Sequence, residues 1–457
     1  MLTRRRLLAG LLSSLFAPLR VWAQPLPPSN LRINSMALSA KTGAFNIGLG
    51  AATTTVPVTG VGFTPKVVIF WWSGRTESVD TAGRATLVQG VGWATSATDS
   101  RSYATRSADA AAISATDSGH RADACVLEQG DGAMVGWADL QSFDADGFTL
   151  EILDAFVTDL RVSYLAMGGA DLTNAASVLW NSAAGVVPFT QAVTGFGFQP
   201  DFVLNLAGNN FGNPPVTAAN MQFSIGMASG SANRYATSHQ ARDGQADTNT
   251  GAYGIDSEFI AYPATANPTI NARADFTSFD AGGFTITWST AGSGFRNQTL
   301  GLKFGGNVAV GSLLTQTDTT TAITVSGLAF KPAAVLFLSH AKAESTTGTA
   351  QDHQQWSLGA ATSATERTAQ GTRDQDAAAD SIVTTGLETD AVYMNLDGTG
   401  VVALMDLTAM NSDGFSAIMD DAEAAQTIVG YAAFGAAAAG AASVVTPRSF
   451  GLLGVGA

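Results

Sequence analysis

Apolar and polar positions alternate in short runs along this chain, and glycine-rich turns separate the runs. No long stretch carries the three-to-four-residue spacing of an amphipathic helix, so the pattern predicts strands. Ala44-Phe45-Asn46-Ile47-Gly48-Leu49 alternates, as do Thr54, Val56 and Val58. Lys66 is followed by an unbroken apolar run, Val67 to Trp72, rich in β-branched and aromatic residues and introduced by Gly and Pro. Such a run predicts a strand buried on both faces, the central one of its sheet. In Asn271 to Phe276, Ala272, Ala274 and Phe276 share one face and Arg273 and Asp275 the other, and Phe284 to Trp288 alternates after a turn, which predicts a hairpin.

The pattern occurs three times. Val193-Thr194-Gly195-Phe196-Gly197-Phe198-Gln199-Pro200 is matched by Val58-Thr59-Gly60-Val61-Gly62-Phe63-Thr64-Pro65 and by Val325-Ser326-Gly327-Leu328-Ala329-Phe330-Lys331-Pro332. A second anchor, Ala138-Asp139-Leu140, Ala274-Asp275-Phe276 and Met405-Asp406-Leu407, leads into the turns Asp146-Gly147-Phe148, Gly282-Gly283-Phe284 and Asp413-Gly414-Phe415. The first anchor's Phe precedes the second anchor's Asp by 76, 77 and 76 positions. Each copy closes on a similar stretch beginning at Tyr164, Leu300 or Tyr431. A repeat of about 135 residues far exceeds a solenoid unit and can hold its own core. The chain is therefore expected to be all-β, with three tandem antiparallel β-sandwich domains near 35–170, 171–306 and 307–440. Packing about a pseudo-threefold axis is expected, with Gly168-Gly169 and Gly305-Gly306 as joints.

The Gly-x-Gly-Phe-x-Pro lead-in opens a strand and no helix, so it reads as a turn delivering Phe63, Phe198 or Phe330 to the core rather than as a phosphate loop. Asp144-Ala145-Asp146-Gly147 resembles the start of a calcium loop, but its counterparts lose carboxylates and no bidentate glutamate follows in register; turn chemistry, with Gly supplying positive φ, is the expectation. Between the anchors lies a variable middle that carries Arg101, Tyr103, Arg106 and Asp109; Arg234, Tyr235, His239, Arg242 and Asp243; and Arg367, Arg373, Asp374 and Asp376. These residues read either as a ligand surface or as solvated hairpins whose arginines pair with neighbouring aspartates.

Composition adds a compartment. Thr3-Arg4-Arg5-Arg6-Leu7-Leu8, a short apolar stretch to Ala17 and Val21-Trp22-Ala23 read as a signal peptide of twin-arginine type over 1–23, with general export or an uncleaved anchor as the alternatives, followed by a proline-rich linker over 24–34. Its removal leaves 19 basic against 37 acidic residues, a net charge near −18, which disfavours nucleic acid and anionic membrane as partners. A periplasmic, extracellular or virion-associated protein is expected, with no membrane span once the leader is cleaved. The 441–457 tail reads as frayed or as a strand docked on a neighbouring chain, a route to self-association. Cys125 is the sole cysteine and reads as a buried free thiol. Charged residues make up only 13% of the chain, which suits a β-rich extracellular particle or fibre.

Catalytic chemistry is thin. His120, His239, His340 and His353 do not share metal-ligand spacing on one element, and no nucleophile elbow, Walker loop or paired-cysteine pattern occurs. No cofactor or metal is implied, and the expectation is a non-enzymatic protein, with a glycan hydrolase as the remaining enzymatic reading.

Phe198-Gln199-Pro200, Gly283-Phe284 and Leu300-Gly301-Leu302, supported by Gly168-Gly169 and Gly305-Gly306, give each copy an order of signals that resembles the H-type lectin domain and also repeats of phage tail-fibre and other virion proteins. The resemblance implies a small antiparallel sandwich found as trimers and, by analogy, sugar binding; it places no family binding residue here. Two functional expectations follow: a binding protein for cell-surface glycans or a cell envelope, and a structural virion or surface component without a small ligand. Sugar sites need flat rings beside hydrogen-bonding forks. Trp93, Arg101, Tyr103 and Arg106 in the first copy, with Trp71 and Trp72 nearby, and Arg234, Tyr235, His239 and Arg242 in the second are therefore the candidate ligand residues. The third copy, with Trp356, Arg367 and Arg373, is expected to be degenerate. The alternative for each aromatic is the core.

Overall fold

The computed structural model of the protein describes residues 38–76, 86–208, 214–265, 269–290, 294–341 and 351–436. The expected leader, linker and 441–457 tail lie outside the described residues. Every regular element among the described residues is a strand, and the sheets are antiparallel throughout.

The first large sheet runs in the order Ser39–Ile47, Leu160–Gly168, Pro65–Trp72, Thr86–Ser96, Asp99–Ala108 and Thr116–Arg121. A four-stranded sheet, Thr55–Thr59, Gly147–Asp154, Met134–Asp144 and Val126–Gln129, packs against it. The same strand order recurs in the sheets drawn from Leu172–Phe304 and from Asn307–Gly435.

Alternation along the apolar runs explains why they are unbroken. Val68, Phe70 and Trp72 point into the sandwich between the first large and small sheets, whereas Val67, Ile69 and Trp71 enter a second core. That second core also takes Phe202, Leu204 and Leu206 from the second large sheet and Ala334, Leu336 and Leu338 from the third. Each large sheet thus buries both faces, and the period-2 signal vanishes because both sides are dry. The expectation of three domains each with its own core needs this addition: a shared core joins them, and the described residues fall in one compact unit.

Hydrogen bonds tie the first large sheet to the second, the second to the third and the third to the first. Tyr103 Oη donates to Gln222 O (2.6 Å), Tyr235 Oη to Ile428 O (3.4 Å), and Ser73 Oγ to Gln370 Oε1 (2.7 Å). Strands are also lent across. Val216–Ala219 extends the first large sheet beside Thr116–Arg121, and Gln351–Asp352 extends the second beside Thr250–Ile255.

The second-anchor glycine has a steric reason beyond turn conformation. A Cβ on Gly147, Gly283 or Gly414 would stand 1.9 Å from the carbonyl oxygen of Val58, Val193 or Val325, on the neighbouring edge strand. Positive φ, the expected reason, applies to Gly147 and Gly414 at 151° and 155°; the backbone approach applies to all three.

Candidate functional site

The aromatic candidates are in the interior. Trp71, Trp72, Trp93 and Tyr235 are fully buried, and Tyr103 is nearly so. Tyr103 stacks on Phe223 of the second large sheet with ring centroids 4.6 Å apart, and its ring fills the space where a side chain on Gly208 would be. Tyr235 lies likewise over Gly430 of the third. His239 is fully buried beside Phe223, and burial with nearby His340 pushes its imidazole down to about 3. These four candidates, Trp93, Tyr103, Tyr235 and His239, have no surface to offer a sugar; their apolar bodies are spent on packing between large sheets. Trp356 of the third copy is buried in the same shared core.

The arginines are paired. Arg101 lies 3.5 Å from Asp99 and donates to Ala122 O (2.8 Å). Arg234 Nη2 lies 3.5 Å from Asp275, and Arg367 Nη2 lies 2.7 Å from Asp406. Asp275 and Asp406 are the outward aspartates of the second anchor, so in two copies the middle hairpin is pinned to the small sheet by the same ion pair. In the first copy Ser100 takes the arginine's place opposite Ala94 and lies against Asp139. Arg242 is exposed.

The recurrent aspartates of the middle are clasps between copies. Asp243 Oδ1 accepts from Thr116 N (3.0 Å), Asp376 Oδ1 from Thr250 N (2.7 Å) and Asp109 Oδ1 from Val383 N (2.9 Å). Beside each, a hydroxyl bridges the same two segments: Ser114 donates to Arg242 O, Thr248 to Gln375 O and Ser381 to Ala108 O. The sequence shows these positions as a recurrent polar cluster; only the fold shows that each serves the neighbouring copy.

Two clefts lie at corresponding places in the first and third sandwiches. The first cleft, about 270 Å³, is lined by Arg106, Glu128, Gln129 and Thr158. Glu128 Oε2 accepts from Val157 N (2.9 Å) and Thr158 N (3.2 Å), while burial raises its pKa. Arg106 lies 3.5 Å from Asp117. The third cleft, about 250 Å³, is lined by Arg373, Gln355, Asn395, Asp397 and Glu423. Asn395 Nδ2 donates to Glu423 Oε2 (2.9 Å), and Gln355 Nε2 to Asn395 Oδ1 (2.8 Å). Arg106 pairs with Val88 and Arg373 with Gln355; the residue pairing with Gln222 in the second copy is Gln240. There the ring of Tyr262 stacks on Phe295 at 3.8 Å, occupying the space that Glu128 and Asn395 border in the other two. The first and third copies, not the first and second, therefore carry the arginine clefts.

Asp144 is consumed by turn chemistry, accepting from Ser142 Oγ (2.8 Å) and Thr149 Oγ1 (2.7 Å), and Asp146 accepts from Gly60 N and Gly62 N. Among the described residues no group of three or more His, Cys, Asp or Glu is placed to hold a metal ion. Cys125 is buried, and its thiol is pushed up by burial. Neither known protein-family models nor curated proteins provide a match to the chain.

Proposed function

We propose that this is an exported, non-enzymatic binding protein that takes hydroxylated ligands, glycans of a cell surface or envelope, in the arginine clefts of its first and third sandwiches. The observation that supports this most is the recurrence of an arginine at corresponding positions, Arg106 and Arg373, in a cleft also lined by a buried carboxyl, Glu128 in the first copy and Glu423, from a different element, in the third. Arginine forks and oriented amides suit ring hydroxyls. A purely structural role in a virion or surface layer is the second reading, favoured by the commitment of Trp93, Tyr103, Tyr235 and His239 to packing between sheets.

The test is a glycan array of microbial polysaccharides with the full chain and with the double variant Arg106→Gln, Arg373→Gln, which installs the second copy's residue in both clefts. Binding reduced at least tenfold, with an unchanged melting temperature, is the expected result. Silence of the folded wild-type protein across the array would leave the structural reading, and turnover of an arrayed glycan would make the protein a hydrolase.

A further inference from the structure

A wider groove runs along the open edge of the third sandwich, between the edge strands Asn307–Leu314 and Ile323–Val325. Its volume is about 560 Å³, within the roughly 300–1,000 Å³ range of small-ligand sites, whereas the two arginine clefts fall just below it. One lining residue is smaller than its counterparts in the other copies. Leu313 pairs with Val429, as Phe45 pairs with Val162 in the first copy and Trp180 with Asn297 in the second. In those copies the ring at this place packs into the sandwich: Phe45 lies edge-on to Phe148 at 5.9 Å and Trp180 to Phe284 at 6.3 Å. Leu313 is smaller than either ring and lines the groove.

The groove's chemistry is selective. In a chain with 37 acidic residues, no charged side chain lines it. Its polar groups are hydroxyls and amides, Ser312, Thr324, Gln316 and Gln426 among them, beside the ring of Tyr431. Gln426 Nε2 donates to Thr315 O (3.0 Å) and lies 3.5 Å from Gln316 Oε1, so the two amides are held side by side. An anionic ligand would lose its hydration here with no cation in the lining to replace it, and Asp256, which accepts from Ser312 Oγ (2.9 Å), holds a like charge one hydrogen bond away; a neutral ligand with many hydroxyls could meet donors and acceptors alike. A peptide adding as a strand to Ile323–Val325 finds little template, because that strand has only three residues; Asn307–Leu314, with eight, is the edge on which the test below must exclude a peptide.

We infer that this groove is a binding site for a neutral oligosaccharide, separate from the arginine clefts. The inference shares the glycan reading above and rests on different residues. Cellohexaose, laminarihexaose, maltohexaose and mannohexaose are titrated calorimetrically into the full chain, into Leu313→Trp and into the Arg106→Gln, Arg373→Gln variant. Trp stands at the corresponding place in the second copy, so Leu313→Trp is built to fill the groove. The expected result is binding of at least one hexasaccharide, weakened tenfold or more by Leu313→Trp and unaffected by the arginine changes. Should Leu313→Trp fail to fold, Gln426→Leu is read in the same way. No binding of any hexasaccharide, undiminished binding by the folded groove variant, or loss in the arginine variant alone would overturn the inference; the last outcome would leave the clefts as the site. Binding of an extended peptide in place of the sugars would overturn it as well.

Discussion

Ala329 breaks the first-anchor pattern, and the structure shows what the break costs. It stands where the other copies have Gly62 and Gly197 and adopts the same left-handed backbone, φ 60° against 86° and 76°. A Cβ in that region meets its own carbonyl, a strain of roughly 1–2 kcal/mol, partly offset because alanine also restricts the unfolded chain. Ala329 is exposed, so no packing is lost on removing the methyl group. Ala329→Gly should stabilise the protein by about 0.5–1 kcal/mol in a denaturant titration; a loss of stability would show that the turn carries no such strain. At this scale the sequence was a partial guide. The recurrent Gly, Phe and Asp positions were visible, and so was the pairing of arginines with aspartates. What was invisible was the second buried face: Tyr103 and Tyr235 sit in polar, loop-like stretches, and nothing local says that another copy's glycine receives each ring.

The elements that join the copies bury ionisable groups of both kinds, and these pull in opposite directions with pH. Asp374, at the end of the strand Arg367–Asp374, receives Ser107 Oγ of the first copy on Oδ2 (2.6 Å), and its Oδ1 is buried without a partner. Burial pushes it up to about 7, with Asp109 and Asp376 adding to the rise and Arg373 opposing it. Within single copies, burial pushes Glu258, beside Arg273, to about 7 and Asp406, beside Arg367, to about 6. Unfolded carboxyls titrate near 4, so between about pH 4 and 7 the folded state holds more of these protons, and stability falls as pH rises through that window. His120 and His239, pushed down to about 4 and 3, do the reverse: an unfolded histidine protonates near 6.5, so their contribution is lost as pH falls from there. Three carboxyls outweigh two imidazoles above about pH 4. The melting temperature should therefore rise on acidification from pH 8 to 5 and turn over near or below pH 4, with a change on the order of 1 kcal/mol. Asp374→Asn should flatten the rise; an identical pH profile in that variant would mean that Asp374 is ionised in the folded protein. The strands themselves were largely legible from alternation, but these seams were not, because a buried aspartate and a solvated one look alike in sequence.

For the whole molecule, the three sets of contacts between large sheets predict a pseudo-threefold ring in which covalent continuity is incidental. Two linkers are short: Gly168 ends one strand and Leu172 begins the next copy, and Phe304 is followed by Asn307. The third closing strand ends at Gly435 and the first copy's opening strand begins at Ser39. The third and first large sheets are nonetheless joined, through Gln370 with Ser73 and Ser163 and through Asp109 with Val383. If the ring is threefold, Gly435 and Ser39 stand as close as the ends of the two short linkers, because the same strand pairings define all three places. A circular permutant opened at Ala170, with Gly435 joined to Ser39 by about three Gly/Ser residues and with 1–38 and 436–457 omitted, should then fold as a monomer. Such a linker spans at most about 3.6 Å per residue, so it closes only a short gap. A melting temperature within a few degrees of the parent and the same small radius in X-ray scattering are the expected outcome, since termini moved between surface sites leave the contacts intact. Sandwiches strung in a line would put Gly435 and Ser39 beyond that reach, and the permutant would then be unfolded or would assemble by exchanging sandwiches between chains. The distinction bears on function as well, because a closed ring fixes the two arginine clefts and the edge groove relative to one another, so that several arms of a branched glycan could be held at once without ordering a linker on binding.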